Sequence, residues 1–129
     1  MSNNINRSLI GNILKSIRVE KNIPMKKIAS ALKVSESTVS QIETGKNSAT
    51  KEKINEICHV CCCSFDYKTD RKKIIDLVQY IYDQYTNLST DEMNSTIEKV
   101  KNNPFISCSY ARFEYYLILY MDGIINQSN

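Results

Sequence analysis

The chain has 129 residues, 42% of them hydrophobic and 24% charged, a balance that suits one ordinary domain or two small ones and excludes a disordered chain. With three glycines, two prolines and no tryptophan, turn breakers are few and an all-helical fold is favoured. The net charge of +3 does not by itself demand a polyanionic partner, but residues 1–68 hold eleven Lys/Arg against six Asp/Glu while residues 69–129 hold six against eight, so one half could face phosphate while the other does different work.

The opening MSNNINRSLIGN has no continuous apolar run of the kind a secretory leader needs. Ile10, Leu14 and Ile17 recur at helical spacing and predict a first helix. Asn22-Ile23-Pro24 interrupts it, and Pro24 suits the first turn of a second helix, Met25 to Leu32, that buries Ile28, Ala29 and Leu32. Lys33-Val34-Ser35 makes a tight connection, and Ser35 is a good N-cap for a third helix, Glu36 to Thr44, with Val39 and Ile42 on its apolar side. Gly45 stands where a helix end needs positive φ. Thr50 can cap a fourth helix from Lys51 to about Cys61, burying Ile54, Ile57, Cys58 and Cys61, and Ser64-Phe65-Asp66 reads as a short fifth turn or helix start.

The second half reads as three more helices. Arg71 to Tyr85 carries Ile74, Ile75, Leu77, Val78, Ile81 and Tyr82 as a broad apolar face. Ser89-Thr90-Asp91-Glu92 has the form of a capping box opening a helix with Met93, Ile97 and Val100 on one side, and Asn102-Asn103-Pro104 ends it. The last helix is expected from Phe105 or Ser107 to Ile125, with Phe113, Leu117, Tyr120, Met121 and Ile124 facing inward. Its apolar part is short and broken by Asp122 and Gly123, so no membrane span is expected.

Five cysteines, three of them adjacent at positions 61–63, show no spaced disulfide framework and suit a reducing cytosol. Cys58 and Cys61 have C-x₂-C spacing beside His59, the one histidine, but a structural zinc wants a second pair and Cys108 is distant in sequence. At helical spacing the same two cysteines share a face with Ile54 and Ile57, so they read as core thiols and no metal is expected. A redox role for Cys62 or Cys63 would need a lowered thiol pKa. The tyrosines and phenylalanines cluster in the second half, at Tyr80, Tyr82, Tyr85, Phe105, Tyr110, Phe113, Tyr115, Tyr116 and Tyr120. Base stacking, helix packing, a subunit interface and a tyrosine-lined pocket are all open to such a cluster; the acidic balance there disfavours the first. No phosphate loop, nucleophile elbow or metalloprotease pair is present, so neither an enzyme nor a cofactor is expected.

Helices two and three, joined by three residues, carry Ala29 where a close helix approach needs a small side chain, Val34 in the turn, and Val39 and Ile42 pinning the third helix. The stretch IRVEKNIPMKKIASALKVSESTVSQIETGKNSATKEKINEIC resembles the Cro/C1-type (Xre-like) helix-turn-helix family of transcription regulators over about residues 10 to 68, through Ala29, Val34, Ser35, Ser37-Thr38-Val39-Ser40, Ile42-Glu43 and Gly45. The resemblance implies that Glu36 to Thr44 is the recognition helix. Glu36, Ser37, Thr38 and Gln41 would then face base edges or phosphates, with Gln41 able to pair bidentately with adenine, Glu36 to accept from cytosine and Thr38 to meet a thymine methyl. Ser40, Lys46 and Asn47, with Met25 and Lys26, would reach phosphates. Arg18 and Glu43 would form a largely buried ion pair with a structural role. Met25 replaces a frequent glutamine, Lys33 a frequent glycine that takes left-handed backbone, and Pro24 the usual Ser/Thr cap.

The resulting expectation is an all-α protein. Residues 1–68 form a lambda-repressor-like five-helix DNA-binding domain, and residues 69–129 a small helical dimerisation or effector domain. The implied function is a cytoplasmic, sequence-specific repressor that binds double-stranded DNA as a homodimer, with Phe113, Tyr116, Leu117, Tyr120, Met121 and Ile124 at the dimer interface. A protein-interaction module of antirepressor or antitoxin type, and a sensor whose second half binds a peptide or small molecule, are the competing readings.

Overall fold

A computed structural model describes residues 2–84, 90–103 and 105–126. The described residues hold seven α-helices, one 3₁₀ turn and no strand, in two compact units, Met1–Phe65 and Asp66–Asn129. Tyr85, Ser89 at the head of the expected capping box, and Pro104 lie outside the described residues, as does the side chain of Ile124.

In the first unit, α1 (Ser2–Glu20) exists because Ile10, Ile13, Leu14 and Ile17 form one apolar stripe, and all four are buried. It ends at Asn22, which takes left-handed backbone with φ 58°, while the Ile23 N–H reaches back to the Arg18 carbonyl at 3.0 Å. α2 (Met25–Leu32) follows Pro24, which stands at the N-cap, φ −72° and ψ 151°, rather than inside the first turn. Ile28 and Ala29 are its buried residues, and Leu32 is half-buried. α3 (Glu36–Glu43) is capped by Ser35, whose hydroxyl accepts the Thr38 N–H at 3.1 Å. α4 (Lys51–Val60) is capped by Thr50, which accepts the Lys53 N–H at 3.2 Å. α2 packs on α3 and α4, and α1 packs on the same two helices, enclosing Val39, Ile42, Ile54, Ile57, Cys58, Cys61 and Phe65.

Lys33 closes α2 in the left-handed region, φ 59° and ψ 44°, and lets the Val34 N–H bond the Ala29 carbonyl at 3.0 Å. A Cβ in this region is strained, and glycine removes the clash at some cost in unfolded-chain entropy. Lys33→Gly is therefore expected to stabilise the first unit by about 0.5–1 kcal/mol. The gain would be read as a rise of a few degrees, roughly 4 °C, in its thermal midpoint; a lower midpoint would mean the lysine carries no such strain.

Beyond α4 the expected fifth turn at Ser64-Phe65-Asp66 is not helical. Cys62 adopts φ 59° and the Cys63 N–H returns to the Cys58 carbonyl at 2.9 Å, closing the helix. The Asp66 N–H then bonds the Cys108 carbonyl at 2.7 Å within the second unit, an isolated parallel bridge with Ser109 that takes the backbone out of any helical register. Cys58 and Cys61 are buried, Cys62 is exposed, and no disulfide joins the cysteines.

The second unit comprises α5 (Arg71–Gln84), α6 (Thr90–Lys101), the 3₁₀ turn Ile106–Cys108 and α7 (Arg112–Asn126). Ile81, Met93, Ile97, Val100, Ile106, Ala111 and Ile118 form its core, with Ile74, Leu77, Val78, Tyr115 and Met121 packed against them. The final helix does not run unbroken from Phe105 or Ser107. Ser109 is extended, φ −143° and ψ 178°, because its buried hydroxyl donates to the Ile106 carbonyl at 2.7 Å and accepts the Ala111 N–H at 3.1 Å. The phase of α7 also differs from expectation. Phe113, Leu117 and Tyr120 are 38, 43 and 66% exposed, whereas Ala111 and Ile118 are fully buried. Both sides of this helix are apolar, so hydrophobicity alone does not pick the inner one; the Ala111–Tyr115–Ile118 ridge wins by fitting against α5 and α6. Ion pairs Arg71–Glu114 at 3.2 Å and Lys101–Asp122 at 3.0 Å tie α7 to α5 and α6.

Candidate nucleic-acid interface

α3 is two-faced. Val39, Ile42 and Glu43 are buried, and Glu36, Ser37 and Gln41 are exposed, with Thr38 and Ser40 half-buried beside them. The connection Lys33–Ser35 between α2 and α3 is three residues long, and α3 packs on α1 and α2 through its buried side, which leaves its other side facing outward. Lys26 is exposed and Met25 half-buried in the first turn of α2, the helix packed on α3. Lys46 and Asn47 are exposed in the loop that leaves α3.

Behind that face, Arg18 binds Glu43 with two hydrogen bonds, Nε to Oε2 at 2.7 Å and Nη2 to Oε1 at 3.1 Å, and donates a third from Nη1 to the Ile23 carbonyl at 3.0 Å. The two side chains are 12 and 5% exposed. The planar guanidinium matches the carboxylate fork and joins α1, the turn before α2 and the end of α3. Glu43 is thereby neutralised inside, and Glu36 is the one carboxylate on the outer side of α3.

Two glycines allow a backbone approach that sequence reading missed. A Cβ on Gly11 would lie 2.4 Å from the Ile42 carbonyl oxygen and 2.7 Å from that of Glu43. Gly45 has φ 81°, and a Cβ there would lie 2.8 Å from the Ser8 Cα. α1 thus runs directly against the C-terminal end of α3. The signal was present: an isolated glycine inside a helical pattern costs about 1 kcal/mol against alanine and calls for a packing reason.

The loop is tied to the helix as well. Asn47 donates its backbone N–H to the Gln41 carbonyl at 3.1 Å and its side-chain Nδ2 to Gln41 Oε1 at 2.6 Å. The Thr44 hydroxyl donates to the Ser40 carbonyl at 3.0 Å, and the Ser35 and Thr38 hydroxyls lie 3.0 Å apart within the cap.

In the second unit, Phe113, Tyr116, Leu117 and Tyr120 form an exposed stripe along α7, and Met121 is half-buried. Arg112, missed from sequence, is 2% exposed; its Nη1 donates to the Ser107 carbonyl at 2.6 Å and its guanidinium lies 4.9 Å from the Tyr116 ring centre. Among the described residues no group of three or more His, Cys, Asp or Glu side chains is placed to hold a metal ion, and no helix is long and apolar enough to cross a membrane.

The helix-turn-helix family matches residues 14–68. No curated protein and no solved structure matches the chain. The matched span takes in Arg18, all of α2 to α4 and the α3 face described above. The chain therefore carries, over residues 14–68, a helix-turn-helix domain of the Cro/C1 type, the DNA-binding module of a family of transcription regulators.

Proposed function

We propose that the chain is a sequence-specific repressor that acts in the cytosol as a homodimer on a palindromic operator. Residues 1–68 bind DNA and residues 69–129 dimerise. The observation that carries the reading is the exposed polar face of α3, from Glu36 to Gln41, backed by the buried Arg18–Glu43 pair. Such a face enters the major groove. Glu36, Ser37, Thr38 and Gln41 then read bases, and Ser40, Lys46, Asn47, Met25 and Lys26 hold phosphates.

One such module covers a half-site, so useful affinity needs two, spaced by about 34 Å on one side of the duplex. The α7 stripe Phe113–Tyr116–Leu117–Tyr120, with Met121 and Ile124, supplies the contact between copies. It repeats at helical spacing, its exposed tyrosines and phenylalanine are of the residue types enriched at interface centres, and the buried Arg112 guanidinium, 4.9 Å from the Tyr116 ring centre, backs that ring from within the unit. Binding across the operator blocks polymerase.

Selection of bound duplexes from a random pool is the test. Two inverted half-sites one helical turn apart are expected, and a protein that enriches no sequence at low salt ends the proposal. Leu117→Asp should yield a monomer by light scattering and weaken binding to the full site on the order of 100-fold, through lost avidity. A dimer that persists in this variant moves the interface elsewhere.

A further inference from the structure

Gln41 faces outward from α3, and residue type alone would let its amide meet adenine, whose major-groove edge offers one donor and one acceptor. The amide is not untied, however. Its Oε1 accepts from Asn47 Nδ2 at 2.6 Å, while the Asn47 backbone N–H holds the Gln41 carbonyl at 3.1 Å. Two bonds between the same two residues, one through backbone and one through side chains, make a small closed ring. Asn47 is placed by the main-chain bond, so its amide is delivered to Oε1 at little further entropic cost. Oε1 is turned to the loop, and the end left for a ligand is Nε2, with its N–H donors.

A donor-only end suits a base edge made of acceptors. Guanine offers N7 and O6, both acceptors; adenine pairs its N7 with a donor amine. We propose that Asn47 is a positioning residue that presents Gln41 donor-first, so that this point of the operator is read as guanine, not as the adenine that glutamine alone would suggest. The inference rests on the DNA-binding function proposed above and adds to it which base is read and why.

Asn47→Asp tests it. Aspartate at this position has no side-chain donor and accepts from Gln41 Nε2 instead, which turns the amide over and brings Oε1 outward. Random-pool selection is run with the wild-type chain, Gln41→Ala and Asn47→Asp. The position read by Gln41 is the one whose preference flattens in Gln41→Ala. The wild type is expected to enrich guanine there. Asn47→Asp is expected to move the preference toward adenine or cytosine, which carry donors, by on the order of tenfold in the base ratio. The added negative charge weakens binding to every sequence alike and so does not move that ratio. Wild-type preference for adenine at that position, an unchanged ratio in Asn47→Asp, or no flattened position in Gln41→Ala would overturn the proposal while leaving DNA binding in place. A wild-type chain that enriches nothing would overturn both, and the missing bound fraction tells the two failures apart.

Discussion

Glu43→Ala is expected to destabilise the first unit by about 3–5 kcal/mol, because it leaves the Arg18 guanidinium buried without its counter-charge. The pair is 12 and 5% exposed, so water cannot replace the lost carboxylate as it would at a surface pair, where the effect would stay under about 1 kcal/mol. For a unit of this size such a loss would shift the thermal midpoint by more than about 12 °C and takes up much of an ordinary domain's net stability. Calorimetry on the full chain, following the transition of the first unit, measures it. The double variant Arg18→Met with Glu43→Leu removes both charges and is expected to recover most of the loss. A single variant that melts within two degrees of the wild type would show the pair to be solvated.

Gly11→Ala should cost about 2 kcal/mol and weaken operator binding at least tenfold. Ordinarily this substitution helps a helix by about 0.5–1 kcal/mol. Here the new methyl would arrive 2.4 Å from the Ile42 carbonyl oxygen, a backbone atom that cannot swing aside, so α1 and α3 must separate, and overpacking of this kind costs about 1–3 kcal/mol. The displacement falls on the C-terminal turn of α3, next to Gln41 and the Asn47 tie. Both readouts, melting and affinity, should therefore fall together. A variant more stable than the wild type would mean that the two backbones do not meet.

Much of the first unit was legible because its signals are local. Ser35 and Thr50 cap helices through their own hydroxyls, Gly45 takes positive φ, and the stripe from Ile10 to Ile17 is buried. Lys33 in a glycine's place also takes the left-handed backbone expected of that turn. What escaped depends on partners distant in sequence. Nothing near Gly11 announces the Ile42 carbonyl, and nothing near Asp66 announces the Cys108 carbonyl that draws it out of a helix. α7 was misphased for a different reason: with tyrosine, leucine and phenylalanine all round, its inner side is decided by shape against α5 and α6. Arg112 was overlooked because a charged residue is seldom expected at 2% exposure. In the candidate site, residue types pointed to Gln41 and Asn47 separately, but their mutual bond depends on how the loop returns to the helix end.

The guanidinium of Arg18 spends one donor on the Ile23 carbonyl and two on Glu43, so a single group couples the bend that launches α2 to the last turn of α3. A tilt in that bend is passed on rather than absorbed. On the function proposed above, the alignment of the outer face of α3 is then set from the rear, by buried atoms behind the exposed side chains, and drift at Asn22 or Ile23 is expected to retune operator choice without altering one exposed side chain of that face.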